Sequence, residues 1–458
     1  MTTISAPAGA PPALRPPWLL TILLTGQFMA ILDVSIVNVA SPVIRSDLGA
    51  SGSGLQMIIS GYTVAYAMLL ITGARLGGRH GGRRLFLSGL ALFTAASLAC
   101  GLAASAGQLI AFRLLQGAGS ALMVPQVLSL IQTNFAGAAR ARALSLYATV
   151  ISGAAIVGQV LGGVLVSADL FGTAWRPVFL VNVPIGLALL VAGARLLPDA
   201  GPRAGRALDV PGIVTLSLAV SLLVVPLVLG HEQDWPLWGW AAMAASAVFA
   251  GIFMLVERRA AAPLVPARVL GAPGVVPSAL AVFGAMATYG GFLFCVALHL
   301  QGRLGADPVE AGLTFLPAAV AFAAVSLNWQ RLPERLRRRM IVVSFSVAAL
   351  GYLLLAPALE SGQRPLTALA LAVTGAGLGG TFSPVLAVAL THVDPADAPD
   401  ASGLFVMVTQ LGQVVGVATF GTLYLGGGSA AATAAALAVT ALAAGACALP
   451  LLRVRLPR

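Results

Sequence analysis

The charged residues of this chain are so widely spaced that they leave long, nearly uncharged stretches between them. Twelve of these stretches each have room for one α-helix of the roughly 20 residues needed to cross a bilayer. The thirteenth has room for two such helices, with a hairpin at Gly426-Gly427-Gly428 between them. The sequence therefore predicts fourteen membrane-spanning helices, within residues 16–44, 48–74, 85–112, 114–139, 143–168, 177–194, 210–230, 235–256, 269–302, 311–330, 340–359, 365–393 and 401–452.

The composition excludes the other fold classes. Only 9% of the 458 residues are charged and 59% are hydrophobic, whereas a soluble domain carries about 25% charged residues. A soluble enzyme is thereby excluded, because it could not bury so much apolar surface. Disordered chains combine low hydrophobicity with high charge, and β-barrels show weakly alternating segments, so neither class fits. We predict an all-α polytopic membrane protein. ATP is not expected to drive it, because the chain has no Walker A phosphate-binding motif.

The basic residues indicate how the chain is oriented. All 26 are arginines, and the formal net charge is +11. If the N-terminus lies in the cytoplasm, 21 arginines fall on cytoplasmic segments, four on outer turns, and Arg113 inside a span. Such a bias is typical of cytoplasmic loops in membrane proteins. We therefore predict a multi-pass protein of the cytoplasmic membrane with both termini inside. The positive charge is explained by topology, so no nucleic-acid partner is expected.

Three features of the N-terminal half recur eight spans later. A GQVLG sequence at Gly158–Gly162 recurs as GQVVG at Gly412–Gly416, and the three residues 117–119 recur as 375–377. The Arg-rich turn 79–84 resembles 331–339. This register predicts two six-helix bundles with two inserted helices, a repeat architecture typical of transporters. We place a cytoplasmic tail at 1–17, the first bundle at 18–197, a linker with the two extra helices at 198–273, and the second bundle with a short tail at 274–458.

Asp33 and Arg113 are the two charges predicted to lie inside spans. Span 4 is taken to start near Gly107, so it includes Arg113, the residue that divides the third and fourth stretches. An ionisable side chain there costs about 2.5–3.5 kcal/mol on insertion scales, which makes a functional role the first hypothesis. At about 1.5 Å per residue, Asp33 and Arg113 lie at compatible depths of roughly 13 and 9 Å from the outer end. Asp33 is interpreted as a proton or cation carrier with Arg113 influencing it, and the alternative is a purely structural pair.

Further candidates fall into two groups, each with a structural alternative. Possible gating residues lie in a Gly- and Arg-rich loop between spans 2 and 3, for which the alternative is an ordinary basic loop. Others lie on a glycine-rich face of span 5, for which the alternative is a tight interface between helices. Possible cavity residues are polar and aromatic, and the alternative is packing between helices. The gating candidates are Gly77, Arg79, Gly81, Arg83, Arg84, Gly153, Gly158, Gln159, Gly162 and Gly163, and the cavity candidates are Asn38, Tyr62, Tyr66, Gln116, Gln126, Tyr289, Phe292, Gln410 and Gln413.

Several segments together resemble the major facilitator superfamily, and within it the fourteen-span drug:proton antiporters. They are the span-1 stretch Leu32–Pro42, the span-4 stretch Arg113–Gly119, the span-5 stretch Gly158–Gly163 and the entry to span 6, Trp175–Gly186. The resemblance implies proton-coupled efflux of small amphipathic drugs or antibiotics by alternating access. It also implies a functional monomer in the lipid bilayer, driven by the proton motive force without a cofactor or metal. The motifs say little about the substrate.

Two positions depart from the family's pattern. Gly78 stands where the loop motif between spans 2 and 3 usually carries an Asp that forms an inside latch. Gln159 stands where the span-5 motif usually has Pro, and repeat symmetry suggests Gln413 as its partner. A single embedded carboxylate favours neutral, monocationic or zwitterionic substrates.

Three other functions stay open at this point. The first is a dedicated exporter of one metabolite or antibiotic, and the second is a lipid transporter. The third and most remote is a membrane-embedded enzyme, for which the acidic cluster Asp394, Asp397 and Asp400 would be the candidate site.

Overall fold

The computed structural model describes residues 17–169, 172–198, 209–230, 233, 235–260, 263–394, 397–425 and 429–453. Across these ranges the chain is helical and contains no strand. The hairpin predicted at Gly426–Gly428, the tail 1–16 and the linker residues 199–208 lie outside the described residues.

The described residues contain fourteen helices long and apolar enough to cross a membrane, which confirms the predicted fold class. Helix α6 consists of two segments, Pro177–Leu180 and Asn182–Leu196, and a short helix, Ala267–Gly271, precedes α9. The fourteen helices are α1 (Pro17–Leu48), α2 (Gly52–His80), α3 (Gly82–Gly101), α4 (Ala106–Asn134), α5 (Gly137–Ala168), α6 (Pro177–Leu196), α7 (Val210–Leu229), α8 (Leu237–Arg259), α9 (Val275–Arg303), α10 (Val309–Arg331), α11 (Glu334–Glu360), α12 (Arg364–Thr391), α13 (Ala398–Leu425) and α14 (Ala430–Arg453).

Polar residues between the apolar runs define where several helices begin and end. The side chains of Ser51, Ser105 and Ser429 accept hydrogen bonds from the first turns of α2, α4 and α14. Such caps satisfy amide groups that have no partner within the helix. Between α2 and α3, Gly81 has a φ of 94°, a conformation that glycine adopts far more easily than other residues. Arg79, Arg83 and Arg84 flank this turn, and we call the side of the molecule on which it lies the Arg-rich face.

The helices pack in the same pairs in each half of the chain. The pairs α1–α5, α2–α4, α3–α4 and α3–α6 recur as α9–α13, α10–α12, α11–α12 and α11–α14. Each pair recurs eight helices later, so the structure contains two similar six-helix bundles. The inserted helices α7 and α8 pack on one another, and α7 also contacts α2 and α13, one helix from each bundle. The bundles meet where α2 and α4 contact α13 and where α5 contacts α10 and α12.

Candidate functional site

Asp33 and Arg113 form a direct ion pair inside the first bundle. Both side chains are fully buried, and Arg113 Nη1 donates a hydrogen bond to Asp33 Oδ2. Arg113 Nε also donates to the Ile58 carbonyl oxygen of α2 at 2.9 Å, and its guanidinium carbon lies 4.7 Å from the centre of the Tyr62 ring. Since isolated buried charges are very costly, this set of contacts is what allows the pair to exist here.

Two amide side chains complete the surroundings of Asp33. Gln116 Nε2 donates to Asp33 Oδ1 at 2.7 Å and to Ser97 Oγ at 2.8 Å, while Gln116 Oε1 accepts from Arg113 Nη1 at 2.8 Å. Asn182 Nδ2 of α6 donates to Asp33 Oδ1 at 3.0 Å. We call these five residues, Asp33, Ser97, Arg113, Gln116 and Asn182, the Asp33 network. All three partners of the carboxylate donate to it, an arrangement that suits an ionised group.

The Asp33 network lies within the first bundle, with apolar side chains around it. Its members come from α1, α3, α4 and α6. Buried apolar residues of the same helices form a cluster that includes Leu32, Ile36, Cys100 and Phe179. Water is therefore largely kept from the ion pair, which strengthens its electrostatic interactions.

The second bundle has no carboxylate at the place equivalent to Asp33. A Cβ atom at Gly158 would lie 2.8 Å from the Leu32 carbonyl oxygen, and one at Gly412 would lie 2.6 Å from that of Phe283. Because Gly158 and Gly412 begin the repeated motif, Leu32 is equivalent to Phe283. The next residue is Asp33 in α1 and Gly284 in α9.

The other members of the Asp33 network are also replaced. The Gly-Ala-Gly repeat of α4 and α12 aligns Arg113 with Leu371 and Gln116 with Thr374. The last glycine of the repeat lies close to the backbone of Phe93 in the first bundle and of Ala348 in the second. Phe93 is therefore equivalent to Ala348, and Ser97, four residues later, is equivalent to Tyr352.

The contact between Asp33 and Asn182 of α6 also has an equivalent. In the second bundle, Gly284 lies against Ala444 of α14. In the order Asp33, Ser97, Arg113, Gln116 and Asn182, the second bundle has Gly284, Tyr352, Leu371, Thr374 and Ala444.

The predicted cavity residues do not all come together. Tyr62 lies beside the Asp33 network, where its hydroxyl contacts the Ala30 carbonyl oxygen at 2.9 Å and Ser120 Oγ at 2.7 Å. Its ring stacks on Tyr66, with 6.1 Å between ring centres. Gln126 is buried between α2 and α4, where its Nε2 donates to the Gly73 carbonyl oxygen at 2.9 Å.

The remaining cavity candidates are distributed over both bundles. Tyr289 and Phe292 are buried in α9, and Phe292 packs edge-on against Phe315, with 5.7 Å between ring centres. Asn38 is exposed, and Gln410 and Gln413 are partly exposed. Contact of any of these residues with a substrate stays a prediction.

The glycines of α5 serve two interfaces. Gly158 and Gly162 lie close to backbone carbonyl groups of α1, within the first bundle, whereas Gly163 lies against Val309 of α10, in the second. Gly153 has open space around it. The Oε1 atom of Gln159 is buried without a hydrogen-bond partner among the described residues. Gln159 lies beside Gly312 of α10, whereas Gln413 lies beside Gly290 of α9. The suggested Gln159–Gln413 hydrogen bond is absent among the described residues.

The predicted Gly- and Arg-rich loop, residues 73–84, forms the end of α2 and the start of α3 with Gly81 between them. It meets the second bundle through a residue that sequence reasoning did not select. Arg75 Nη1 lies 3.2 Å from Asp400 Oδ1 of α13, and Arg75 Nη2 donates to the Pro263 carbonyl oxygen. Asp397 pairs with Arg268, with 2.7 Å between Oδ2 and Nε. Two members of the acidic cluster are thus partners for arginines. The basic loop and these acids were visible in the sequence, and only their pairing was missed.

The other gating candidates of this segment make local contacts. Gly77 lies against the Gln126 side chain, Gly81 provides the turn into α3, and Arg83 donates to the Ala194 carbonyl oxygen of α6. Arg79 and Arg84 are exposed at the Arg-rich face. Their role in gating stays a prediction.

Buried polar contacts also join the bundles near the Arg-rich face. Ser145 Oγ of α5 lies 2.9 Å from Ser383 Oγ of α12 and accepts from Trp329 Nε1 of α10 at 3.0 Å. Ser402 Oγ of α13 donates to Gln132 Oε1 of α4 at 3.0 Å. We call these contacts, together with Arg75–Asp400, the seam. The seam holds the two bundles together at this face.

Comparison with known proteins gives a consistent picture. The family described as Major Facilitator Superfamily matches residues 23–295 and 278–458. The probable actinorhodin transporter of Streptomyces coelicolor is 38% identical over 428 residues, which cover 92% of this chain and 74% of that protein. The cephamycin export protein CmcT of Amycolatopsis lactamdurans is 38% identical over 421 residues, covering 88% of this chain and 84% of that protein.

A solved structure shares the fold at low sequence identity. The human organic anion transporter MFSD10 (TETRAN) superposes with a TM-score of 0.67 at 14% identity. The superposition covers 94% of this chain and 100% of that chain. At this identity the likeness supports the arrangement of helices and carries no information on the substrate.

Proposed function

This chain belongs to the Major Facilitator Superfamily, and we propose that it exports small amphipathic antibiotics or drugs in exchange for protons by alternating access. It is a multi-pass membrane transporter and not an enzyme, and its bacterial relatives place it in the plasma membrane. The proposal includes cytoplasmic termini, a functional monomer, and bundles at residues 18–197 and 274–458 joined by the linker 198–273. The Arg-rich face is then the cytoplasmic side.

The observation that carries the proposal is the Asp33 network in one bundle only. The second bundle builds the same helix pairs with glycine and leucine at the positions of Asp33 and Arg113. The effective cost of burying each ion is several kcal/mol, and the fold does not require it. A buried carboxylate that is not needed for folding is well suited to bind and release a proton during transport.

Proton binding at Asp33 would change the equilibrium between the closed and open arrangements of the two bundles. A proton from the outer side neutralises Asp33 and removes its ionic attraction to Arg113, which keeps its charge at any physiological pH. Export then requires the seam to open, so that the substrate enters from the Arg-rich face. At 100 mV, one charge crossing the membrane contributes about 2.3 kcal/mol, which corresponds to about 50-fold in concentration.

The decisive test is Asp33→Asn, which keeps the shape and removes the proton site. We expect everted vesicles with this variant to lose pH-driven efflux while substrate binding is kept. Glu310→Gln is the matched control, because it makes the same chemical change in an exposed pair with Arg364. Full proton-coupled transport by Asp33→Asn would show that Asp33 is not the coupling residue.

A narrower function is supported by the names of the two relatives. Each is named for one antibiotic, actinorhodin or cephamycin, which favours a dedicated exporter as the second candidate. A resistance profile in a pump-deficient host separates the two. Protection against one chemical class indicates a dedicated exporter, and protection against several indicates a multidrug pump.

The charge of the substrate is a separate part of the proposal. Among the described residues, Asp33 is the carboxylate that lies in the interior of a span. The family resemblance implies that carriers of divalent cations use additional carboxylates within the membrane, so we propose neutral, monocationic or zwitterionic substrates. Comparable efflux of a monocation and its dicationic analogue would contradict this.

A further inference from the structure

We propose that Asn182 senses whether Asp33 is protonated, by turning its side-chain amide over. The inference rests on the proposed function, because it takes Asp33 as the group that binds the proton. Asn182 is thereby a positioning residue for proton coupling, acting through Asp33 and not on the substrate.

The three side chains that contact the Asp33 carboxylate all donate hydrogen bonds to it. Arg113 donates to Oδ2, and Gln116 and Asn182 donate to Oδ1 at 2.7 and 3.0 Å. An ionised carboxylate accepts only, whereas a protonated carboxyl also carries one O–H donor. Protonation therefore creates a buried donor that needs an acceptor, and one neighbour has to change its role.

Arg113 and Gln116 cannot make that change. The guanidinium of Arg113 has donors only. Gln116 Oε1 accepts from Arg113 Nη1 at 2.8 Å, and Gln116 Nε2 also donates to Ser97 Oγ at 2.8 Å. Turning the Gln116 amide would direct its NH₂ group at the guanidinium and break the bond to Ser97. The rest of the Asp33 network therefore holds Gln116 in its present orientation.

Asn182 is free of such restraints within the described part of the chain. Its Oδ1 is buried and has no hydrogen-bond partner among those residues. The oxygen and nitrogen ends of an amide are nearly the same size, so a half-turn about the Cβ–Cγ bond needs no extra space. After the half-turn, Oδ1 takes the place of Nδ2 and accepts the new O–H of Asp33, and the NH₂ group takes the unpaired position of Oδ1. Protonation with the turn therefore leaves one buried polar group without a partner, whereas protonation without it leaves two.

The proton balance of the cycle is simple. A proton from the outer solution bonds to Oδ1 of Asp33, the carboxyl becomes neutral, and the amide of Asn182 turns to accept it. On the other side of the membrane the O–H bond breaks, the proton leaves to water, and the amide turns back. No other bond forms or breaks.

The position of Asn182 in α6 lets the turning of its amide affect the neighbouring helices. Asn182 begins the longer segment of α6, directly after Val181, which separates it from Pro177–Leu180. The backbone stays helical at Val181, with φ −59° and ψ −29°, but Pro184 has no N–H to donate to the Leu180 carbonyl oxygen. This turn of α6 therefore has fewer backbone hydrogen bonds to oppose a change than a regular turn. Helix α6 also contacts α3 closely, where Gly186 lies against Thr94.

Infrared difference spectroscopy of the purified protein at two pH values tests the proposal. In the wild type we expect the C=O band of a protonated carboxyl, and its loss in Asp33→Asn assigns it to Asp33. In Asn182→Leu this band should shift, because the O–H loses its acceptor. Gln27→Leu is the matched control, since it removes another buried amide with an unpaired oxygen, and it should leave the band in place.

A label on asparagine gives a readout that needs no substitution at position 182. With isotope-labelled asparagine, the wild-type difference spectrum should contain an amide band that is absent in Asp33→Asn. In everted vesicles, Asn182→Leu should lower proton-driven efflux about tenfold, the effect of leaving one buried donor unpaired, while substrate–substrate exchange is kept.

The outcomes separate this inference from the proposed function. An Asp33 band that is present and unmoved in Asn182→Leu, together with no labelled amide band, overturns the role of Asn182 alone. The absence of any Asp33 band in the wild type overturns both.

Discussion

Where the first bundle buries Asp33 and Arg113, the second bundle holds Gly284 and Leu371. The helix pairs around these positions are nevertheless the same. In both bundles, glycines let one helix approach the backbone of the next, as Gly158 does at Leu32. The contrast separates two roles that are combined in the first bundle. Small residues produce the helix packing, and the Asp33 network adds a property that packing does not need.

The largest effect is expected when Arg113 alone is replaced by Leu, the residue of the second bundle. Asp33 then stays buried without its counter-charge, which should lower the free energy of unfolding by about 3–5 kcal/mol. Thermal unfolding of the purified protein in detergent measures the loss.

A sharper test replaces all five residues of the Asp33 network by their equivalents from the second bundle. The variant carries Asp33→Gly, Ser97→Tyr, Arg113→Leu, Gln116→Thr and Asn182→Ala. Because no charge is left unpaired, it should recover at least half of the stability lost in Arg113→Leu, without recovering proton-driven efflux. A copy less stable than Arg113→Leu would show that the two interiors are not equivalent.

A smaller effect is expected at the equivalent glycines Gly158 and Gly412. An alanine Cβ would lie 2.8 Å and 2.6 Å from the carbonyl oxygens they face, so the helices must move apart. Overpacking of this kind costs about 1–3 kcal/mol, and the two losses should agree within about 1 kcal/mol. Gly153→Ala is the matched control, because Gly153 has open space around it. A large loss for one glycine and none for the other would break the equivalence of α5 and α13.

The sequence was sufficient for the features that depend on position along the chain. The number of spans follows from charge spacing, the repeat follows from matching glycine motifs, and the Asp33–Arg113 pair follows from comparable depths. Each of these needs only distance along a helix axis, which is about 1.5 Å per residue.

The sequence was insufficient for features that depend on how each helix is rotated. Spans that are hydrophobic all round have no apolar stripe to show which face is buried. For Gln126, the sequence left a cavity position and packing between helices as alternatives, and the structure shows a contact with α2 that helix position alone did not reveal. Asn182 and Arg75 were missed for the same reason. Their partners, Asp33 and Asp400, belong to helices far away in the chain.

The smallest effect is expected at the seam, where the ion pair is less completely buried than Asp33 and Arg113. The side chains of Arg75 and Asp400 are 11% and 9% exposed, against 0% for Asp33 and Arg113. Asp400→Asn keeps a side-chain oxygen that can accept from Arg75, so it should change the free energy of unfolding by only about 1 kcal/mol. It should still favour opening of the Arg-rich face, because the pair joins one helix from each bundle.

Thiol labelling of an Ala74→Cys reporter, which lies beside Gly403 in the closed seam, should become severalfold faster in Asp400→Asn. Arg364→Gln is the control, since its exposed pair with Glu310 lies within the second bundle and its loss should leave labelling unchanged. Equal labelling rates in Asp400→Asn and the unsubstituted seam would show that the serine and glutamine contacts alone keep this face closed.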